Sequence, residues 1–137
     1  MLSPRELTEV ICLFCQLMIL RVWLRTVNFK KVSYLFNAHS GTKASATADP
    51  IRFANLVSNV SKHHLFTPTC LEQALVLYGY LRDRGIDAQM QIGTSLHQGQ
   101  FRAHAWVELS GKVILGTTTF PFTSIRTYNT LDPKRFL

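Results

Sequence analysis

Residues 67–86, TPTCLEQALVLYGYLRDRGI, contain the clearest helix start and stop signals in the chain. Thr69 and Glu72 have the spacing of a capping box, so Thr69 is the predicted N-cap and Cys70 the first helical residue. An apolar stripe at helical spacing follows, formed by Leu71, Ala74, Leu75, Tyr78 and Leu81. Gly85, which comes after two arginines, is a typical C-terminal signal. These signals predict one well-marked helix with a cysteine at its N-terminus.

Two more helices are predicted before it. Residues 4 to about 27 are largely apolar, and Pro4 suits the first turn of a helix. Asp49 followed by Pro50 is typical of an N-cap and the first helical position, and this second helix should end near His63. Its apolar period of 3.6 residues is formed by Phe53, Leu56, Val57 and Val60.

Strand-like alternation begins after the third helix. Ala88, Met90 and Ile92 alternate with polar residues, and the alternation continues over residues 101–109. The pair Ser110-Gly111 predicts a two-residue hairpin loop, followed by a returning strand that starts with residues 112–115. Helices followed by antiparallel strands indicate an α+β fold.

The chain length of 137 residues predicts a single domain spanning 1–137. Within it we expect an N-terminal apolar helix region at 1–40 and a catalytic core at 50–137. The polar loop at 41–49 is too short to separate two domains. An odd number of cysteines, three, without a disulfide framework indicates a reducing, cytoplasmic setting.

The net charge of +7 favours acidic partners such as an acidic peptide or an anionic lipid surface. The basic residues form no dense run interleaved with aromatic residues, so we expect no nucleic-acid binding. Residues 7–24 are apolar but are interrupted by Glu9, Gln16 and Arg21. A helix docked on the domain is the preferred interpretation, and peripheral membrane contact is the alternative, because cations follow this segment.

Cys70 and His104 are the residues that could do chemistry. A helix N-terminus has unpaired N–H groups and about half a unit of positive charge, so it favours a thiolate and could stabilise an oxyanion. His104 lies on the polar face of its strand between Arg102 and Trp106. It could pair with the thiolate and later protonate a leaving amine. The alternative is that Cys70 is a small buried apolar residue and His104 an ordinary packing or surface residue.

Residues 67–115 resemble the B2 proteins of lasso-peptide biosynthesis, which are leader peptidases of the microcin-processing type. The family motifs are a Cys-Leu-Glu run that opens a helix, an Arg-Gly near its end, an Ile-Gly in the next strand and His-Ala-Trp-Val-Glu. Here they are Cys70–Glu72, Arg84–Gly85, Ile92–Gly93 and His104–Glu108. The resemblance implies a transglutaminase-like, papain-related cysteine-protease fold, with Cys70 as the nucleophile and His104 as the base.

The resemblance also implies a substrate and partners. A cysteine peptidase of this kind would cut the leader from a ribosomally made precursor peptide, and an asparagine-synthetase-like cyclase would then close the macrolactam. A separate leader-binding protein of the B1 type would deliver the precursor, because no such module is visible in this chain. Two alternatives stay open. One is a non-catalytic adaptor that binds precursor or cyclase, and the other is an acyl transferase in which an amine captures a thioester on Cys70.

The carboxylate that orients the histidine in a Cys-His-Asp enzyme is missing from the expected place. Counting back from the Ser110-Gly111 loop puts His104 opposite Thr117, and no neighbour of Thr117 is acidic. Glu108 is four residues along the same strand, roughly 13 Å away, so it cannot reach. Asp132 is a distant candidate. Either Thr117 or a backbone carbonyl orients the imidazole, or no group does.

Other chemistry-bearing residues have simpler interpretations. Cys12 and Cys15 form a C-x-x-C without a second pair downstream, so core packing is preferred and neither a metal nor a cofactor is expected. His63 and His64 could line the cleft as oxyanion donors, but cations at a helix C-terminus are the preferred interpretation. Trp106 either forms a wall beside His104 or is a core aromatic residue.

Overall fold

The structure, a computed structural model, describes residues 3–26, 49–63, 68–118 and 121–130. These ranges contain three helices, which are α1 (Pro4–Thr26), α2 (Pro50–Lys62) and α3 (Cys70–Asp83). All three were predicted, with bounds that agree within one or two residues. The expected boundary loop at 41–49 lies outside the described residues, apart from Asp49.

The helix starts follow from short-range hydrogen bonds. Asp49 Oδ1 accepts from the Arg52 N–H at 3.0 Å, which confirms the predicted N-cap of α2. In α3, Thr69 Oγ1 accepts from the Glu72 N–H at 3.2 Å and Glu72 Oε2 accepts from the Thr69 N–H at 2.8 Å, so the predicted capping box is present. The helix ends before Gly85, which has a φ of +66°, as a glycine in the left-handed region allows.

The helices are followed by four antiparallel strands in the order β3-β2-β1-β4. The strands are β1 (Gln89–His97), β2 (Gln100–Leu109), β3 (Lys112–Leu115) and β4 (Thr123–Asn129). The α+β class and the hairpin at Ser110-Gly111 are confirmed. The sequence analysis missed β4, the extension of β1 to His97, and a second hairpin at Gln98-Gly99. Both hairpin loops place two residues in the left-handed region, the geometry of a type I′ turn.

Helix α3 occupies the centre of the core. It contacts α1 and α2 on one side and strands β1 and β2 on the other. The inner face of the sheet contributes the buried residues Met90, Ala105, Val107, Leu115 and Tyr128. Because α3 has neighbours on both sides, its apolar residues all around the helix can be buried.

Among the residues that the structure describes, helix α1 has its neighbours on one side, where it packs against α2 and α3. Leu13, Leu17 and Leu20 are its buried residues. Cys12 and Cys15 are exposed, so the expectation that both belong to the core is wrong. The helical repeat explains the error, since residues one or two positions away from the buried leucines lie on other sides of the helix. By length and composition α1 could also cross a membrane.

Candidate active site

Cys70 occupies the first helical position of α3, immediately after the Thr69 N-cap. Its side chain is half-buried and packs against the hydrophobic core. The two hydrogen bonds of the capping box join Thr69, which precedes Cys70, to Glu72, which follows it, so the first turn around Cys70 is held in place. The Glu72 carboxylate also places a negative charge near the positive end of the helix. The thiol is therefore held at a helix N-terminus, as the sequence predicts.

His104 lies on the face of the sheet that points away from α3. Successive side chains of a strand point to opposite faces, and Ala105 and Val107 are the residues of β2 that are buried against the helices. We call the opposite side, which includes Gly93, His104 and Trp106, the open face. His104 is half-buried there.

The imidazole of His104 is oriented by a backbone carbonyl. Its Nε2 lies 2.6 Å from the carbonyl oxygen of Gly116. A carbonyl oxygen can only accept, so Nε2 donates and carries the proton in the neutral ring. This contact leaves Nδ1 as the nitrogen that can accept a proton from a thiol.

The expected pairing of His104 with Thr117 is wrong, because the pairing of β2 with β3 contains a bulge and ends at Val107 and Leu115. Leu109 pairs with Lys112 and Glu108 with Val113, but Val107 pairs with Leu115. Ile114 is the extra residue, so a continued ladder would place Thr118 opposite His104. The ladder stops at Leu115, however, and the turn at Gly116 brings its carbonyl to the imidazole. Of the options that the sequence left open, the backbone carbonyl is the one found, and Gly116 supplies it.

Gly116 suits this role for a structural reason. Its φ is +85°, which lies in the left-handed region that favours glycine. A Cβ at this position would lie 2.8 Å from the carbonyl oxygen of Ala105 and 3.0 Å from Cβ of Trp106. Any larger residue would therefore displace the turn that presents the carbonyl to His104.

Aromatic rings surround His104 on the open face. The Trp106 ring lies 6.0 Å from the imidazole and the Phe122 ring 5.1 Å from it, as centroid distances. Trp106 Nε1 donates to Glu108 Oε1 at 2.8 Å, so Glu108 holds the indole. The indole also covers Gly93, where a Cβ would come within 2.7 Å of it. Of the two interpretations left open for Trp106, the position beside His104 is the one found.

Cys70 and His104 lie on two elements that contact each other, α3 and β2. In the described part of the chain, however, no hydrogen bond joins their side chains. Cys70 packs against the core on the helix side, whereas the alternation of β2 places His104 on the open face. Each residue is positioned separately, and the thiol–imidazole pair is not formed in this structure.

The remaining candidates are exposed residues or lie outside the described residues. His63 is exposed at the C-cap of α2, and Arg102 is exposed on β2 opposite Ser95. His64 and Asp132 lie outside the described residues. Among the residues that the structure describes, no cluster of His, Cys, Asp or Glu could hold a metal ion.

Sequence reasoning missed three residues around the imidazole, which are Gly93, Gly116 and Phe122. Gly93 was noted only as part of a family motif, although a glycine within a strand can indicate a close approach by another group. Gly116, directly after a strand, could have indicated a left-handed turn. Phe122 gave no signal, because only the tertiary structure brings it to His104.

Comparison with known proteins supports this fold. A sequence profile of the transglutaminase-like superfamily matches residues 14–127, most of the chain. The chain belongs to this superfamily. Its members typically have a cysteine-protease-like fold and usually include peptidases and acyl transferases that use a cysteine. Comparisons with curated proteins and with solved structures give no match.

Proposed function

We propose that this transglutaminase-like protein is a cysteine peptidase that removes the leader from a lasso-peptide precursor. The observation that supports this most is the position of Cys70, at the first helical residue of α3 behind a complete capping box. The oriented imidazole of His104 on the contacting strand supports it further. The choice of a lasso-peptide precursor rests on the resemblance of residues 67–115 to B2 proteins.

In the proposed reaction, Nδ1 of His104 takes the proton of the Cys70 thiol. The thiolate attacks the carbonyl carbon at the leader–core junction, and backbone N–H groups of the first turn of α3 stabilise the oxyanion. The C–N bond breaks, and the imidazolium returns the proton to the leaving amine of the core peptide. Water then hydrolyses the thioester, which releases the leader acid and the thiol.

The Gly116 carbonyl takes the place of the carboxylate that orients histidine in a triad. Its contact with Nε2 holds the tautomer in which Nδ1 is the basic nitrogen. A carbonyl has a partial charge only, so it stabilises the imidazolium less than a carboxylate would. The thiol compensates in part, because it is intrinsically more acidic than a serine hydroxyl.

The thiol–imidazole pair has to form during the reaction, because the two side chains share no hydrogen bond in this structure. Catalytic contacts are often long without substrate and shorten when it binds. Because His104 lies on the face of β2 that points away from α3, forming the pair also requires β2 to change its direction near His104. We infer that a precursor, delivered by a separate leader-binding protein of the B1 type, induces this change. The released core amine would then pass to an asparagine-synthetase-like cyclase.

The experiment that tests this function is mass spectrometry of a precursor incubated with the protein and its leader-binding partner. We expect free leader with the unchanged protein, none with Cys70→Ala, and a loss of about 10²–10⁴-fold in rate with His104→Ala. Cys12→Ala is the matched control, because it removes an exposed thiol from α1 and should leave cleavage unchanged. Cleavage that survives Cys70→Ala would contradict the proposal.

A non-catalytic adaptor is the second candidate, favoured by the separate positions of Cys70 and His104. In the same experiment, tight binding of precursor without cleavage would support the adaptor. If an added amine becomes joined to the leader, the protein is an acyl transferase acting through the same thioester.

The role of Gly116 has its own test, with Gly111→Ala as a matched control. Both glycines have a positive φ, +85° and +78°, so alanine adds similar backbone strain of about 1–2 kcal/mol at either site. Only at Gly116 would the new Cβ meet other atoms, since Gly111 has open space around it. We expect Gly116→Ala to lower the cleavage rate by up to about a hundredfold through misplacement of His104. Equal rates for the two variants would show that the carbonyl contact is not needed.

A further inference from the structure

The hairpin that joins β1 to β2 carries two exposed apolar side chains. Leu96 and Phe101 pair directly across it and are 75% and 70% exposed. Alternation along the two strands puts them on the same face as Met90 and Val107, which are buried in the core that the sheet shares with α3. The two exposed side chains therefore lie on the helix-facing side of the sheet, beyond the part that the described helices cover.

Burial on this face decreases toward the hairpin. Ala105 is 3% exposed, but the next residue of β2 on the same face, Ala103, is exposed. Ala103 pairs with Thr94, and the next pair on this face is Leu96 with Phe101. The described helices thus cover β2 as far as Ala105. We call Thr94, Leu96, Phe101 and Ala103 the hairpin patch, and none of these four residues is charged.

The N-terminus of α3 points toward the hairpin patch. Only a short link, residues 84–88, connects α3 to β1, so the strand runs back along the helix. Tyr78 Oη donates to the carbonyl oxygen of Asn129 at 3.1 Å, and Asn129 pairs with Gln89. The second half of α3 therefore lies near the start of β1. The other end of the helix, with Cys70, lies toward the end of β1 that forms the hairpin.

Standard spacings relate Cys70 to the hairpin patch along the strand direction. Cys70 is eight residues before Tyr78, which corresponds to about 12 Å along a helix. The same length measured along β1 from Gln89, at about 3.3 Å per residue, ends near Gly93. Leu96 is three residues further, about 10 Å beyond the level of the thiol. An extended peptide with its scissile bond at Cys70 would therefore place a side chain about three residues from that bond on the patch.

The size and chemistry of the hairpin patch favour a peptide as its occupant. A stable protein–protein interface buries about 800 Å² on each partner, far more than two side chains offer, so a second copy of the chain is a poor fit. One or two apolar side chains of a peptide match this area. The patch is also continuous with the end of α3 at which the proposed cleavage takes place.

We propose that the hairpin patch binds an apolar side chain of the precursor, about three residues from the cleaved bond, and thereby selects which precursors are cut. This inference rests on the proposed peptidase function, because it takes Cys70 as the attacking group. Leu96 and Phe101 are the specificity-determining residues. The small side chain of Ala103 leaves room for the substrate chain between them and the thiol.

The double variant Leu96→Gln with Phe101→Gln tests the hairpin patch. Each of the four precursor residues on either side of the junction is first replaced by Gln, one at a time. With the unchanged protein, we expect one apolar position about three residues from the junction to lose at least about tenfold in kcat/KM. The double variant should be about tenfold slower than the unchanged protein on the original precursor. On the precursor that already has Gln at that position, the two proteins should be equally fast.

The matched control replaces two exposed apolar residues of α1. Ile11 and Val22 are 54% and 53% exposed. The double variant Ile11→Gln with Val22→Gln also replaces two exposed apolar side chains and should cleave every precursor like the unchanged protein. Circular dichroism confirms that each variant is folded.

A hairpin variant that cleaves all precursors like the unchanged protein would overturn the role of the patch and leave the peptidase function intact. Equal slowing on every precursor, without selectivity for one position, would also overturn it. If the unchanged protein cuts no precursor, the peptidase function fails, and binding of a fluorescent precursor decides the role of the patch. Weaker binding to the hairpin variant would retain the patch as the precursor site of an adaptor, and equal binding would overturn it.

Discussion

Helices α1 and α3 have similar apolar content but different environments. Both are rich in apolar residues around the whole helix, and both begin with a capping box, Ser3 with Glu6 in α1 and Thr69 with Glu72 in α3. Nine of the fourteen residues of α3 are buried, but only three of the twenty-three in α1. Their apolar content therefore does not tell which helix is central and which is peripheral.

The difference arises from the number of neighbours. Helix α3 lies between two helices and a sheet, so every side of it faces protein. Within the described ranges, helix α1 contacts α2 and α3 on one side, and several apolar residues on its other side are exposed. An apolar sequence can fit either situation, because burial inside a protein and burial in lipid favour the same residue types. The predictions below test how far the two helices differ.

The largest expected difference is in the free energy of unfolding that is lost when an apolar side chain of each helix is truncated. Leu77→Ala in α3 removes a side chain that is 0% exposed and should lower the free energy of unfolding by about 2–5 kcal/mol. Ile11→Ala in α1 removes an exposed side chain and should change it by about 0.5 kcal/mol or less. Urea unfolding of both variants measures this. Similar losses of unfolding free energy in the two variants would mean that the exposed side of α1 is packed against protein.

A smaller difference is expected between the two capping boxes. Thr69→Ala breaks a part-buried cap in the centre of the fold and should cost about 1–2 kcal/mol of unfolding free energy. Ser3→Ala breaks an exposed cap where α1 can fray by itself, and about 0.5 kcal/mol is expected. Thermal unfolding of the two variants beside the unchanged protein provides the comparison. A larger loss for Ser3→Ala would reverse the ranking of the two helices.

The thiols on the two helices should differ in reactivity without any change in stability. Cys12 and Cys15 are exposed on α1, and Cys70 is half-buried on α3. A bulky maleimide should therefore modify the two α1 cysteines before Cys70, while small iodoacetamide should reach all three. Peptide mapping by mass spectrometry identifies the sites. If Cys12 and Cys15 react only after unfolding, these two thiols are buried in the folded protein and not exposed on α1.

The smallest expected effect is a pH dependence at the start of α1. Hydrogen bonds from the backbone and side chain of Ser3 lower the pKa of Glu6 below its ordinary value of 4.5. A lowered folded-state pKa stabilises the helix above the ordinary value, and this stabilisation is lost as the pH falls through the folded value. Glu6→Gln should remove this dependence. The melting temperatures of the unchanged protein and of this variant are measured from neutral to acidic pH. They should differ at neutral pH and converge below pH 4.5. A difference that stays constant with pH would contradict the prediction.

Cys70, its helix position and the candidate His104 could be predicted from sequence, but the group that orients His104 could not. Thr69, Cys70 and Glu72 lie within four positions, and their hydrogen bonds close inside one helical turn. The partner of His104 depends on where the pairing of β2 with β3 ends: a bulge at Ile114 shifts the register, the ladder stops at Leu115, and the turn at Gly116 presents its carbonyl to the imidazole. Bulges change register without an obvious sequence signal, because they depend on how two strands fit together.

The sequence by itself determined the three helix starts, the α+β order, the hairpin at Ser110-Gly111 and the helix position of Cys70. Each of these depends on side chains within a few residues that satisfy local backbone groups or restrict local dihedral angles. Only the tertiary structure decided that Cys12 and Cys15 lie on the exposed side of α1 and that Gly116 orients the His104 ring. Those features depend on which distant segments occupy the neighbouring space, and the local sequence does not encode that choice.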